Sequence, residues 1–163
     1  MMARTGNKIM DKITGFLRYD LKKSLNMYIA VLMVVPVIFF IYMLFALNLA
    51  QMSLRGFFDK SPITAVMFIV CLVDLVVAYI LFFEKKRLLN NRINVIWVFT
   101  ALTIAQLAVG NLVSLILGII VLYLSKDIKS DNNKLHKNFI YLLLGCVPLY
   151  SVSALILINI GIH

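Results

Sequence analysis

One carboxylate stands inside an otherwise uncharged run: Asp74, the twelfth residue of the stretch Ile63–Phe83. A charged Asp at the centre of a membrane helix costs about 2.5–3.5 kcal/mol on insertion scales, and a carboxyl there lowers the cost by taking a proton. That is the chemistry of a proton or cation site. It is equally the chemistry of a protonated Asp that hydrogen-bonds a neighbouring helix and fixes packing. Its helical neighbours Val70, Cys71, Val77 and Ala78 are apolar, so polar partners must come from other segments. Candidates are Thr100, Thr103, Gln106, Asn111 and Ser114 in the middle of the chain, and Ser151 or Ser153 near its end. Thr103 and Gln106, three apart, share a helix face. Asp74, Thr103, Gln106, Asn111 and Ser114 form the candidate proton or ligand site.

Other chemistries lack their residues. The two histidines are His136, in a polar stretch, and His163, the last residue. There is no HExxH, GxSxG, P-loop or GxGxxG. Membrane enzymes that share a proton between two acids, or hold a metal with them, need a second carboxylate near the first. Asp59 falls in a connecting segment, and Glu84 and Asp127 lie at segment edges. Cys71 and Cys146 both sit in apolar runs without a CxxC or Cys/His cluster, so they read as packing residues with no disulfide. The expectation is a protein without catalytic residues, metal or cofactor, and not an enzyme.

The elements that position Asp74 follow from composition and hydropathy. Apolar residues make up 63% of the 163, charged residues 14%, and mean hydropathy is +0.98. A soluble domain has about 45–50% and about 25%, so most of this chain is built for lipid. A helix needs about 20 apolar residues to cross a bilayer. Met27–Ala50, Ile63–Phe83 and Phe139–Ile160 meet that length. Ser61-Pro62 supplies a helix start for the second. The uncharged stretch Ile93–Ser125 would be about 50 Å long as one helix, too long for one crossing. A turn at Gly110-Asn111 divides it into arms 93–109 and 112–125, of about 25 and 21 Å.

Charge decides between the two. With the N-terminus cytoplasmic, the hairpin keeps fourteen Lys and Arg inside and only Arg55 and Lys60 outside, whereas one long helix gives ten against six. The positive-inside rule favours the hairpin, with arms that either cross twice or re-enter. Tyr28, Phe82, Phe83, Trp97, Tyr123, Phe139 and Tyr141 then fall at the cytoplasmic interface, where an aromatic belt belongs.

Residues 1–25 read as a separate amphipathic surface helix. Ile9, Ile13, Phe16, Leu17, Leu21 and Leu25 line one face, and Lys8, Asp11, Lys12, Arg18 and Lys22 the other. The net charge of +9 places Lys12, Arg18, Lys22, Lys23, Lys85, Lys86 and Arg87 against anionic lipid headgroups rather than nucleic acid. Pro36 and Pro148 are expected to kink the first and last spans. Gly110, Ser114 and Gly118, four apart, offer a close-packing stripe. Ser130-Asp131-Asn132-Asn133 reads as a loop turn.

The expected fold is an all-α polytopic membrane bundle: a surface helix over 1–25, then one transmembrane domain over 26–163 with five segments, near 27–50, 63–83, 93–109, 112–125 and 139–160. The first functional expectation is a small non-catalytic subunit or modulator of a larger membrane complex, with a membrane-protein partner or a homo-oligomer. The second is a small proton-coupled transporter using Asp74. Eleven Lys against five Arg, with many Ile and Asn, associate with AT-rich bacterial genomes, so a bacterial cytoplasmic membrane is the expected location. Membrane-impermeant labelling of a cysteine replacing Lys134 should fail in intact cells and succeed in inverted vesicles. Labelling in intact cells would overturn the hairpin.

Overall fold

The computed structural model describes residues 20–128 and 137–162. Six α-helices account for nearly all of these: α1 (Leu21–Ala50), α2 (Leu54–Lys60), α3 (Pro62–Leu89), α4 (Arg92–Ala108), α5 (Leu112–Leu124) and α6 (Lys137–Ile162). A 3-10 turn, Ser125–Asp127, follows α5. There is no strand among the described residues. Three helices are long and apolar enough to cross a membrane, α1, α3 and most of α6 (Phe139–Gly161), while α4 and α5 are shorter apolar helices.

Helix starts and stops follow local chemistry. Pro62 opens α3 at a position where its missing N–H costs nothing. Ser61 pairs its hydroxyl with Thr64 Oγ1 at 2.7 Å instead of capping a backbone N–H. The helix then continues past Phe83, because Glu84, Lys85, Lys86 and Arg87 are good helix formers and the basic ones suit the last turn. The connecting segment that holds Asp59 contains α2, whose start is capped by Ser53 Oγ accepting from Gly56 N. The expected break after residue 25 is not there: α1 starts at Leu21 and runs unbroken to Ala50. Residues 1–19, with Lys12 and Arg18, and the turn at 130–133 lie outside the described residues.

The turn at Gly110-Asn111 is present. Gly110 has φ +76°, a left-handed conformation that costs a residue with a Cβ about 1–2 kcal/mol. Its N–H reaches the carbonyl of Leu107, and the N–H of Asn111 reaches that of Gln106 at 2.9 Å, closing the end of α4 in a Schellman pattern. Asn111 then begins α5, its Oδ1 accepting from Ser114 N. Gly110 therefore belongs to the turn and not to a helical small-residue stripe, which is reduced to Ser114 and Gly118.

Packing places α3 at the centre, against α1 and α6 and, over a shorter length, α4 and α2. Helix α5 fills the space between α4 and α1. Lys85 Nζ donates to Asn26 Oδ1 at 2.6 Å, which sets the end of α3 beside the start of α1. Arg92 begins α4 two residues after the turn that ends α3, and the Ser125–Asp127 turn returns to α4. So Lys22, Lys23, Lys85, Lys86, Arg87, Arg92 and Lys126 gather at one end of the bundle, and Arg55 and Lys60 lie at the other. The core between them holds Tyr28, Leu32, Val77, Leu81, Phe99 and Leu102, all fully buried. Pro36 and Pro148 sit inside continuous helices.

A Cβ added at Gly118 would lie 2.6 Å from Thr103 Oγ1, too close for any real contact, whereas one at Gly110 would meet nothing. Gly118→Ala should therefore lower unfolding stability by about 1–3 kcal/mol through overpacking, and Gly110→Ala by about 1–2 kcal/mol through backbone strain alone. Adding Thr103→Ala should rescue the first variant and leave the second unchanged, read by chemical unfolding in detergent micelles.

Candidate functional site

Three helices bring polar side chains to one level. Asp74 lies fifteen residues before the end of α3, Gln106 fourteen residues into α4 and Tyr150 thirteen residues into α6. At 1.5 Å per residue these are about 22, 21 and 20 Å from the basic end. Asp74 is buried, with 2% of its surface accessible, and Gln106 and Tyr150 are as deeply enclosed.

They bond to one another. Tyr150 donates its hydroxyl to Asp74 Oδ1 at 2.5 Å. Gln106 Nε2 donates to the same oxygen at 2.8 Å and lies 3.3 Å from the Tyr150 hydroxyl. One carboxylate oxygen thus accepts from two helices that start at the same end of the bundle and flank α3. Bonds of this kind are charge-assisted when Asp74 is ionised and roughly half as strong when it is neutral. Protonation of Asp74 would therefore weaken both bonds together.

Both partners sit where the backbone can respond. Gln106 gives its main-chain carbonyl to the hairpin turn and its side chain to Asp74. Tyr150 follows Pro148, whose missing N–H removes one backbone hydrogen bond from that turn of α6.

Of the sequence candidates, Gln106 alone bonds Asp74. Asn111 caps α5. Thr103 packs against Gly118, and its hydroxyl is enclosed without a hydrogen-bond partner; so is that of Ser114. Thr100 is exposed, Ser151 is exposed and bonds the carbonyl of Val147, and Ser153 is buried one turn beyond Tyr150. Tyr150 is the partner that sequence reasoning misses. Its signal is available there: a tyrosine at mid-span, away from both interfaces, buries its hydroxyl and must find a partner for it. Tyr28, expected at the interface, is instead fully buried. It stacks edge-on against Phe99 with ring centroids 5.0 Å apart, within electrostatic reach of Asp74.

Cys71 and Cys146 are buried free thiols. Among the described residues no group of three or more His, Cys, Asp or Glu side chains could hold a metal ion. Lys22, Lys23, Lys86 and Arg87 line the basic end. Lys85 there bonds Asn26, and Arg87 pairs with Glu84 at 3.0 Å, a surface bridge worth little by itself.

Asp74→Asn should fold normally, because the amide oxygen accepts the same two hydrogen bonds. Tyr150→Phe and Gln106→Leu should each cost about 0.6–1.7 kcal/mol, the range for interhelical bonds in membrane proteins. A double-mutant cycle should show the two costs to be non-additive, since both donors share one oxygen; additive costs would mean that the bonds do not form together. No family model, curated protein or solved structure matches this chain.

Proposed function

We propose that this chain is a small multi-pass protein of a bacterial cytoplasmic membrane in which Asp74 takes up and releases a proton to drive a conformational cycle, as in a proton-coupled transporter. The observation that carries the reading is the bonding of Tyr150 and Gln106 to one oxygen of a buried acid. Two partners on two helices, one beside a proline and the other in a hairpin turn, make its charge a control on helix arrangement.

The basic end faces the cytoplasm in this reading, where Lys22, Lys23, Lys85, Lys86 and Arg87 meet anionic headgroups. The hairpin enters from that side. With α4 about 25 Å long against a hydrocarbon core of about 30 Å, its tip stops short of the far surface and the arms re-enter. Ionised Asp74 holds α4 and α6 inward. Protonation weakens both bonds together and frees the hairpin tip and the Pro148 region to move. A change of position near mid-membrane is what alternating access requires.

One observation favours the other reading, a non-catalytic subunit with a membrane-protein partner. Beyond the hairpin tip, α1 keeps a long apolar face that its own bundle leaves exposed, including Ile38, Ile41, Tyr42, Phe45 and Leu49. A partner's helix could pack there as well as lipid can. Purification in mild detergent distinguishes the two, since a stoichiometric partner supports the subunit.

The proton reading is tested on a solid-supported membrane carrying the reconstituted protein. A pH jump should displace charge in the wild type and not in Asp74→Asn. Tyr150→Phe should keep the signal and shift its midpoint. A signal that survives Asp74→Asn unchanged rejects the proposal.

A further inference from the structure

Five enclosed side-chain oxygens have no hydrogen-bond partner among the described residues: Ser24 Oγ, Tyr28 OH, Thr103 Oγ1, Ser114 Oγ and Gln106 Oε1. Their distribution is one-sided. Ser24 and Tyr28 are three and seven residues into α1, about 5 and 10 Å from the basic end. Ser114 and Thr103 are ten residues from the end of α5 and eleven from the start of α4, about 15 and 16 Å deep. Gln106 follows at about 21 Å, level with Asp74. None of the five lies on the opposite side of the acid.

The groups also converge laterally. Ser24 and Tyr28, four apart, share a face of α1. Ser114 and Gly118 share a face of α5 in the same way, and the Cβ position of Gly118 lies 2.6 Å from Thr103 Oγ1 and 3.6 Å from the Tyr28 ring. Helices α1, α4 and α5 thus turn these groups toward one seam. Ser114 and Thr103 lie at nearly the same depth, and the other steps in depth, about 5–6 Å, match two hydrogen bonds through one intervening water. Buried waters bond polar groups that otherwise lack partners.

We propose that this seam is a hydrated proton path leading from the basic end of the bundle to Asp74. The inference rests on the proton reading of Asp74 and adds its route and its side. A hydronium ion at the basic end passes a proton to the first water. Each hydroxyl or water along the seam accepts one proton and gives up another, so no net charge stays behind. Gln106 Oε1, which only accepts, orients the last water. Asp74 Oδ1 is already occupied by Tyr150 and Gln106, so the proton bonds to Oδ2 and the carboxylate becomes a neutral acid. Among the described residues the titratable groups around it are Tyr28 on α1, Cys71 on α3 and Tyr150 on α6, with Cys146 beside Tyr150. Helices α4 and α5 carry none at this depth.

The test follows the infrared carbonyl band of protonated Asp74, identified by its loss in Asp74→Asn, in vesicles of zwitterionic and anionic phospholipid. The population is sorted by whether Lys85 is reachable by an impermeant amine reagent. Acidifying the basic face should protonate Asp74 quickly; acidifying the other face should not. Thr103→Val preserves shape, and Tyr28→Phe preserves the ring on Phe99. Each should slow protonation about tenfold or more by breaking the chain of oxygens, at unchanged thermal stability. The exposed Ser151→Ala should have no effect. Equal rates in the variants, or equally fast protonation from the opposite face, overturn the path while leaving the proton reading intact. An Asp74 band that never responds to pH rejects both.

Discussion

A carboxyl group enclosed in an apolar bundle has to be given hydrogen bonds, and this requirement organises the molecule. Asp74 has no polar neighbour on its own helix. Its bonds must come from helices that start at the same end and reach the same depth, and only two described helices bring a donor there. The hairpin of α4 and α5 is long enough to carry Gln106 down to that depth and turns immediately afterwards. The length of the hairpin and the position of the acid are thus one constraint seen from two sides.

The same constraint explains what the rest of the bundle tolerates. Surface charges sit at the two ends, and the outward faces of α1, α3 and α6 are apolar. Inside, space is tight at Gly118, where α5 meets the side chain of Thr103. A larger residue there would push α5 away from α4 and move Gln106 relative to Asp74. Packing at a glycine twelve residues from Gln106 therefore bears on the geometry of the acid.

The architecture is legible in the sequence to the extent that it follows from apolar length and charge. The three long apolar helices, the turn at Gly110-Asn111 and the burial of Asp74 all come from local arithmetic. Helix ends are less legible, because reasoning from charge alone stops a span at its first polar residue. The run Glu84–Leu89 continues α3 since charged side chains form helix well, and Leu21–Leu25 continue into α1 without a break. Tyr150 escapes such reasoning, since which face of α6 meets α3 depends on tertiary packing, and the more polar serines nearby draw attention first. Tyr28 is misplaced for a related reason. Its distance from the charged residues suits an interface, but its ring is needed against Phe99 in the core.

Whether the triad is glue or a working part turns on how much of its energy depends on charge. Hydrogen bonds between neutral groups hold helices together at any pH and report nothing. Here both donors address a single ionisable oxygen, so one proton changes two interhelical bonds at once. The enclosed hydroxyls of the proposed path lie toward the basic end of the bundle. A structural acid has no need of such an approach: its partners alone satisfy it. Enclosed hydroxyls left unpaired on one side of Asp74 carry a desolvation cost, and the proposed proton path is what would give them a use.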